Sequence, residues 1–264
     1  MKIAVTAKEL SADGACAFVP TMGALHAGHA SLIKKAREYS DTVVVSIFIN
    51  PLQFESKDDL AKYPRTPEFD IELAAQAGAT HLWLPNIEEI YPGEVQKISA
   101  GPLGDIYEGV KRPGHFDGVV TVVNRLFELV QPKWAIFGEK DFQQLALIKS
   151  MKSDVEIIGA PTIRDADGLA LSSRNVRLAD RSSALVIYRA LITAAKEKDI
   201  DAARTVMTEV LKSEEAFTLD YAEIINESNF EKASQKDESK RAIIAGWVNG
   251  IRLIDNMSMN GGAQ

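Results

Sequence analysis

Two histidines three residues apart, His26 and His29, lie in the stretch FVPTMGALHAGHASLI, between a short apolar run and a helical pattern, with Gly23 and Gly28 beside them. Imidazoles at that spacing share one helical face and can both donate to phosphate oxygens, and the glycines let a phosphate or a nucleobase approach the backbone. The first turn of a helix adds unpartnered N–H groups and the positive end of the dipole, so an anion fits there. The same pair also has the form of a helix cap or of half a metal site. Zinc would need further Cys, His or carboxylate ligands. The chain holds four His and one Cys in all, with His81 and His115 far off in sequence, which speaks against chelation by this pair.

A second set of residues suits the same chemistry. A carboxylate is a poor acyl donor at neutral pH, so making an amide from a free acid calls for activation by ATP, and such a site must neutralise a triphosphate. His26, His29, Lys140 and Arg174 bring donors from three separated segments, Ser172 and Ser173 add hydroxyls, and Gln53 and Gln144 can orient a hydroxylated substrate without adding charge. A lone Lys or Arg is usually a solvated surface residue. The argument therefore rests on where these residues fall.

They fall at strand ends. The apolar runs Ala15 to Val19, Thr42 to Ile49, Thr80 to Leu84, Trp134 to Phe137 and Val155 to Ile158 read as strands, the second of them β-branched as in a sheet buried on both faces. Pro20 and Gly23 punctuate the first. Helical patterns follow through Ala30 to Ala36, Phe69 to Ala77 and Val122 to Leu129, while Tyr91 to Gly118, rich in Gly and Pro, reads as loop. Strands alternating with helices predict a doubly wound parallel sheet, whose ligands sit beyond the carboxyl ends of the strands. Thr21 to His29, Asn50 to Gln53, Gly138 to Gln144 and the stretch from Arg164 all follow strand candidates.

The pattern changes near Asp165. Helical stretches at Ala184 to Ala195 and Ala202 to Leu211 precede strands at Tyr221 to Ile225 and Ala242 to Val248, and Asn249-Gly250 marks a hairpin into Ile251 to Ile254. The expected organisation is a Rossmann-like domain over residues 1–164 and a small α+β domain over 165–264. The charged stretch Glu231 to Arg241 reads as a solvated loop, and Cys16 as a small buried hydrophobe of the first strand.

With 264 residues, 46% hydrophobic and 25% charged, the chain has the composition of a soluble globular protein. Its formal net charge of -7 argues against a non-specific nucleic-acid or membrane binder and for small-molecule partners. One cysteine excludes an internal disulfide; with no leader and no run of membrane length, the expected location is cytoplasmic.

Seven motifs in order, VPTMGALHAGH, VVSIFINPLQF, YPRT, RPGHFDGV, FGEKDFQQL, DGLALSSRN and RLIDN, resemble the pantothenate synthetases (pantoate-β-alanine ligases) of the nucleotidyltransferase superfamily, over nearly the whole chain. The resemblance implies that HAGH is a HIGH-type signature and LSSRN a KMSKS-type loop. It implies an ATP site formed by Met22, Gly23, Ala24, Leu25, His26, Ala27, Gly28 and His29, by Gly138, Glu139, Lys140 and Asp141, and by Leu171, Ser172, Ser173 and Arg174, with Ile163 lining it. Gln53 and Gln144 would bind pantoate, with Gln53 also near β-alanine. His29 would be the proton donor and His26, Lys140, Ser172 and Arg174 the other catalytic residues. Asn50, near the phosphates, and Arg112 are secondary candidates.

The implied reaction proceeds through a pantoyl adenylate, releases pyrophosphate and AMP, and yields pantothenate. Mg2+ would travel with ATP, with no dedicated protein ligand set and Asp141 at most part of its shell, and the assembly would be a homodimer. Asp167 to Asn175 would close over the triphosphate. In two respects the chain departs from the pattern: the lead-in before Val19 is short, and Arg174 stands where the superfamily uses lysine, keeping the charge in a forked form. Two other readings share the fold: an adenylyltransferase that leaves AMP on its product, and a nucleotide-binding sensor.

Overall fold

The computed structural model describes residues 1–10, 15–54 and 56–259, and the chain divides into two compact units, Met1–Ile163 and Arg164–Gln264. Arg164 falls in the second unit, one residue before the expected boundary. Its guanidinium forks onto Asp255 at 2.5 and 3.0 Å and donates to the Asn256 carbonyl at 3.2 Å, both on that unit's last strand.

The first unit runs β1 (Lys2–Ala4), β2 (Ala17–Thr21), α1 (Ala27–Arg37), β3 (Val43–Ile47), α2 (Lys57–Ala61), α3 (Pro67–Ala77), β4 (His81–Trp83), α4 (Ile87–Ile90), α5 (Glu108–Lys111), α6 (His115–Val130), β5 (Trp134–Gly138), α7 (Phe142–Ser150) and β6 (Glu156–Ala160). The six strands are parallel, in the order β1-β4-β3-β2-β5-β6. From β2 the chain winds outward to β3 and β4, then returns across the sheet to β5 and β6. The winding therefore reverses between β2 and β5, the place where sheets of this kind bind their ligands. This is the Rossmann-like α/β sheet expected. Core residues pack on both faces: Phe18, Val44, Phe116, Val119, Val123 and Leu147 on one, Val19, Val45, Ile33, Ala74 and Leu82 on the other.

Several elements differ from the sequence reading. β1 leaves no signal in the sequence because it is three residues long with only Ala4 buried, too short to show a period. β2 runs through Pro20, which lies opposite Ser46; its ladder with β5 stops at Phe18, before the proline. Cys16 lies just before that strand, buried, and burial pushes its thiol pKa up. The supposed loop Tyr91 to Gly118 contains α5 and the start of α6, whose first two residues, His115 and Phe116, are buried. On α3, Phe69 is exposed while Asp70 is inside, the reverse of an apolar count.

The second unit carries α8 (Arg181–Ala194) and α9 (Ile200–Lys212) with an antiparallel sheet of β7 (Phe217–Asn226), β8 (Lys240–Val248) and β9 (Ile251–Ser258), in that order. Its core joins Leu191 and Met207 of the helices to Ile224, Ile244 and Val248 of the sheet. Asn249 and Gly250, both at positive φ, close a two-residue hairpin between the paired residues Val248 and Ile251. Arg241, read as the end of a solvated loop, is a buried β8 residue that donates to Glu227 at 2.7 Å and Asn256 at 2.6 Å.

Candidate active site

The loop after β2 is built on one buried carboxylate. Gly23 and Ala24 both take positive φ (80° and 49°), which turns the next amides inward. Ala24 N donates to Asp70 Oδ2 at 2.9 Å, Leu25 N to Asp70 Oδ1 at 2.7 Å, and Thr66 Oγ1 to the same Oδ1 at 2.9 Å. Asp70 is only 2% exposed, so these donors replace the water that its charge has lost. A Cβ at Gly23 would press on Ile47 at 3.0 Å and on Asp70 at 3.1 Å, so glycine suits that position both in space and in conformation. Thr21 tightens the same turn, accepting from Gly23 N at 3.2 Å and donating to the Ser46 carbonyl at 2.7 Å.

His26 is the N-cap of α1. Its Nδ1 accepts from Gly28 N at 3.1 Å, and the His26 amide in turn donates to His29 Nδ1 at 3.3 Å, a capping box made of two imidazoles with centroids 4.2 Å apart. The cap reading thus holds for Nδ1. The amides of Ala24, Leu25, His26 and Gly28 are already engaged, so the loop does not present the bare row of helix-start N–H groups expected from sequence. In a neutral ring whose Nδ1 accepts, the proton sits on Nε2. Nε2 is therefore the donor atom of each neutral ring.

Electrostatics keep His29 in that form. Desolvation first, then His26, pushes its pKa down to about 3; the negative charge of Asp141 works against this, and the positive charge of Lys140 works with it. The same pairings show that the loop after β2 and the turn after β5 share one electrostatic neighbourhood. Lys140 and Asp141 belong to the short turn Glu139–Asp141 that follows Gly138, with Lys140 Nζ 3.8 Å from Asp141 Oδ1. Gly138, Glu139, Lys140 and Asp141 thus stand at the point where the winding reverses, as do Met22 to His29.

The two glutamines arrive differently. Gln53 ends a short turn, Pro51–Gln53, capped by Asn50. Its Nε2 donates to Met22 Sδ at 2.9 Å and its Oε1 accepts from Asn50 Nδ2 at 3.1 Å. Asn50 is 1% exposed, donates also to the Gly118 carbonyl at 3.0 Å, and accepts from Tyr91 OH at 3.0 Å. Its amide is engaged with protein on every side, so it holds Gln53 rather than reaching a phosphate. On α7, Gln143 donates to the Leu103 and Ile106 carbonyls and accepts from Glu108 N. Its neighbour Gln144 is half-buried and makes no side-chain hydrogen bond among the described residues. Arg112 lies against His115 and the Gln53 carbonyl, and Ile163 is exposed just past β6.

In the second unit, Leu171, Ser172, Ser173 and Arg174 lead into a short turn, Ser173–Arg177, where Ser172 Oγ accepts from Arg174 N at 3.3 Å. The root of this segment is pinned. Arg164 stacks over Tyr188 at 5.0 Å, Arg181 grips Asp165 at 2.6 Å and Asp167 at 3.2 Å, and a Cβ at Gly168 would collide with the Tyr188 ring.

Asp70 and Tyr91 are the site residues that sequence reasoning does not find. An acidic residue four positions past Thr66 on a helix looks like first-turn charge facing the dipole, and only its burial reveals that it holds a loop 46 positions back in the chain.

The pantoate-beta-alanine ligase family model matches residues 2–258. The pantothenate synthetase of Acidothermus cellulolyticus is 49% identical over 260 residues, 93% of this chain and 86% of that protein. That of Pseudomonas fluorescens is 45% identical over 262 residues, covering 94% and 93%. Among solved structures, the pantothenate synthetase of Thermus thermophilus superposes with TM-score 0.94 at 42% identity, covering 99% of this chain and 100% of that one. The pantoate-beta-alanine ligase of Francisella tularensis, crystallised with beta-gamma ATP and beta-alanine, gives TM-score 0.81 at 35% identity over 99% of both chains.

Two outcomes are expected of these side chains. Asp70→Asn, which replaces one acceptor oxygen by a donor facing donors, should destabilise the protein by about 1–3 kcal/mol in denaturant titration and weaken nucleotide binding by calorimetry. A wild-type midpoint and affinity would show that the carboxylate does not hold the loop. His29, with a folded pKa below the unfolded value of about 6.5, should stay neutral in imidazole NMR spectra down to about pH 5. Its contribution to stability is fully present above about pH 6.5 and is lost as pH falls toward 3, because the unfolded chain takes up the proton first. A midpoint for His29 near 6.5 would refute the desolvated environment.

Proposed function

The chain belongs to the pantoate-beta-alanine ligase family, and we propose from that premise how its residues carry the reaction. It is a ligase that condenses pantoate with β-alanine at the expense of ATP. In the proposed course a pantoate carboxylate oxygen attacks the α-phosphorus of ATP, the bond from that phosphorus to the β-bridging oxygen breaks, and pyrophosphate leaves. The β-alanine amine then attacks the acyl carbon of the pantoyl adenylate. AMP departs with the electron pair of the acyl–oxygen bond, and the amine gives up a proton to solvent or to the departing phosphate.

The observation that carries this reading is that the Nδ1 atoms of His26 and His29 both accept backbone N–H groups, which leaves the proton of each neutral ring on Nε2, in a neighbourhood shared with Lys140 where the winding reverses. Neutral donors stabilise negative charge that grows on phosphate oxygens, and they need no proton transfer to do so. With a pKa of about 3, His29 serves as a hydrogen-bond donor and not as a source of free protons near neutrality. Lys140 supplies the full charge. By the family resemblance, Leu171, Ser172, Ser173 and Arg174 would contact phosphate and Ile163 would line the nucleotide. Gln144, whose amide has no hydrogen-bond partner among the described residues, and Gln53 would bind the hydroxyl and carboxylate oxygens of pantoate. A nucleotide sensor has no need of two such amides beyond the phosphates.

Magnesium would accompany ATP. Asp141, the carboxylate beside Lys140, would at most form part of the shell of a cation carried on phosphate oxygens. Bound there, it would neutralise phosphate charge. No helix of the described residues is long and apolar enough to cross a membrane, and a cytoplasmic homodimer is proposed on the family resemblance. Sedimentation should give twice the chain's 28.9 kDa; a monomer at micromolar concentration would refute the dimer.

The central test is incubation with ATP, magnesium, pantoate and β-alanine, with pantothenate and free AMP as products. Omitting β-alanine should leave pantoate-dependent pyrophosphate release for one turnover. Lys140→Ala should reduce that release by roughly two to three orders of magnitude while the protein stays folded. A near-wild-type rate in the folded variant would remove Lys140 from the phosphate site, and AMP retained on the product would favour an adenylyltransferase.

A further inference from the structure

We propose that the segment Arg112 to Gly118 is a clamp on the turn that carries Gln53, and that His115 is thereby a positioning residue for the acid substrate. The inference rests on the assignment of Gln53 to pantoate. His115, 7% exposed at the start of α6, has Nδ1 2.8 Å from the Gln53 carbonyl oxygen. Arg112 Nη1 lies 3.0 Å from His115 Nε2, and Arg112 Nη2 donates to the same Gln53 carbonyl at 3.4 Å. A guanidinium has only donors, so Nε2 must accept. The ring is therefore neutral with its proton on Nδ1, aimed at Gln53. The Glu108 carboxylate lies 3.8 Å from the same Arg112 Nη1.

The next turn of α6 completes the grip. His115 and Gly118 are three residues apart and share one helical face. A Cβ at Gly118 would collide with the Leu52 carbonyl and lie 2.9 Å from Gln53 N, so the helix backbone rests directly on the turn. The Gly118 carbonyl accepts from Asn50 Nδ2, the same group that donates to Gln53 Oε1. Helix α6 thus fixes the backbone of Gln53 through His115 and, through Asn50, the rotation of its amide. Such positioning matters because small displacements of a binding group weaken substrate capture out of proportion to their size. Most residues assigned to the nucleotide lie on other loops, so the clamp is expected to act on pantoate more than on ATP.

Steady-state kinetics on the whole protein, varying each substrate in turn, test this. His115→Gln moves the donor one atom too far along the side chain and should raise the KM for pantoate about tenfold or more, the effect of one displaced buried hydrogen bond. The KM for ATP should change far less. His115→Asn keeps an amide N–H at the Nδ1 position and should restore most of the loss. In a Gln53→Ala background, His115→Gln should add nothing. If His115→Gln fails to fold, Gly118→Ala displaces the same turn from the next turn of the helix and must show the same selectivity for pantoate. An unchanged pantoate KM, an equal loss toward ATP, or an asparagine variant as impaired as the glutamine one would overturn the clamp. Gln53→Ala with an unchanged pantoate KM would instead overturn the assignment of Gln53, and the purpose of the clamp with it.

Discussion

The two hydrogen bonds from Ala24 N and Leu25 N to the buried carboxylate of Asp70 are the constraint on which the site depends. They hold Gly23 and Ala24 in left-handed conformations that an unsupported chain would leave. They also tie the loop after β2 to α3, on the far side of β3. Once the loop is held, the chain enters α1 at His26, and the two imidazoles can cap the helix and each other. Without that anchor, the donors of His26 and His29 would have no defined direction.

The second requirement is topological. A sheet wound in one direction would separate the loop after β2 from the turn after β5, whereas reversal at β2 makes the two strands neighbours. Lys140, far from His29 in sequence, comes close enough for its charge to depress the histidine's pKa. A neutral His29 beside a lysine separates a donor group from a full charge, so phosphate can be met by both without proton uptake by that histidine near neutral pH.

The third requirement is a division of labour between polar residues that look alike. Gln143 and Gln144 are adjacent, yet one amide is bound to three backbone groups while the other makes no side-chain hydrogen bond among the described residues. Asn50 and Gln53 lie three residues apart, and the first is buried in service of the second. In each pair the buried member satisfies the backbone of an irregular segment, where unpaired carbonyls and amides would be costly, while the half-buried member bonds no backbone group through its side chain among the described residues.

Much of this was legible in the chain itself. The β-branched run Thr42 to Ile49, the helical pattern after His29 and the Asn249-Gly250 turn specify parallel strand, helix and hairpin, because those signals are local and their periods depend on the backbone alone. The gathering of polar residues at strand ends followed from the same periodicity, and the ordered motifs pointed to the chemistry. What only the tertiary structure decided are the contacts that join distant segments. Asp70 has the sequence context of a surface acid, Arg241 that of a solvated charge and Arg112 to Gly118 that of loop, since burial, not residue type, distinguishes a solvated polar group from one that holds another segment in place. The three-residue β1 is too short to show any period at all. Which nitrogen of His26, His29 or His115 carries the proton is likewise set by partners that folding brings together, and no property of histidine in the sequence determines it.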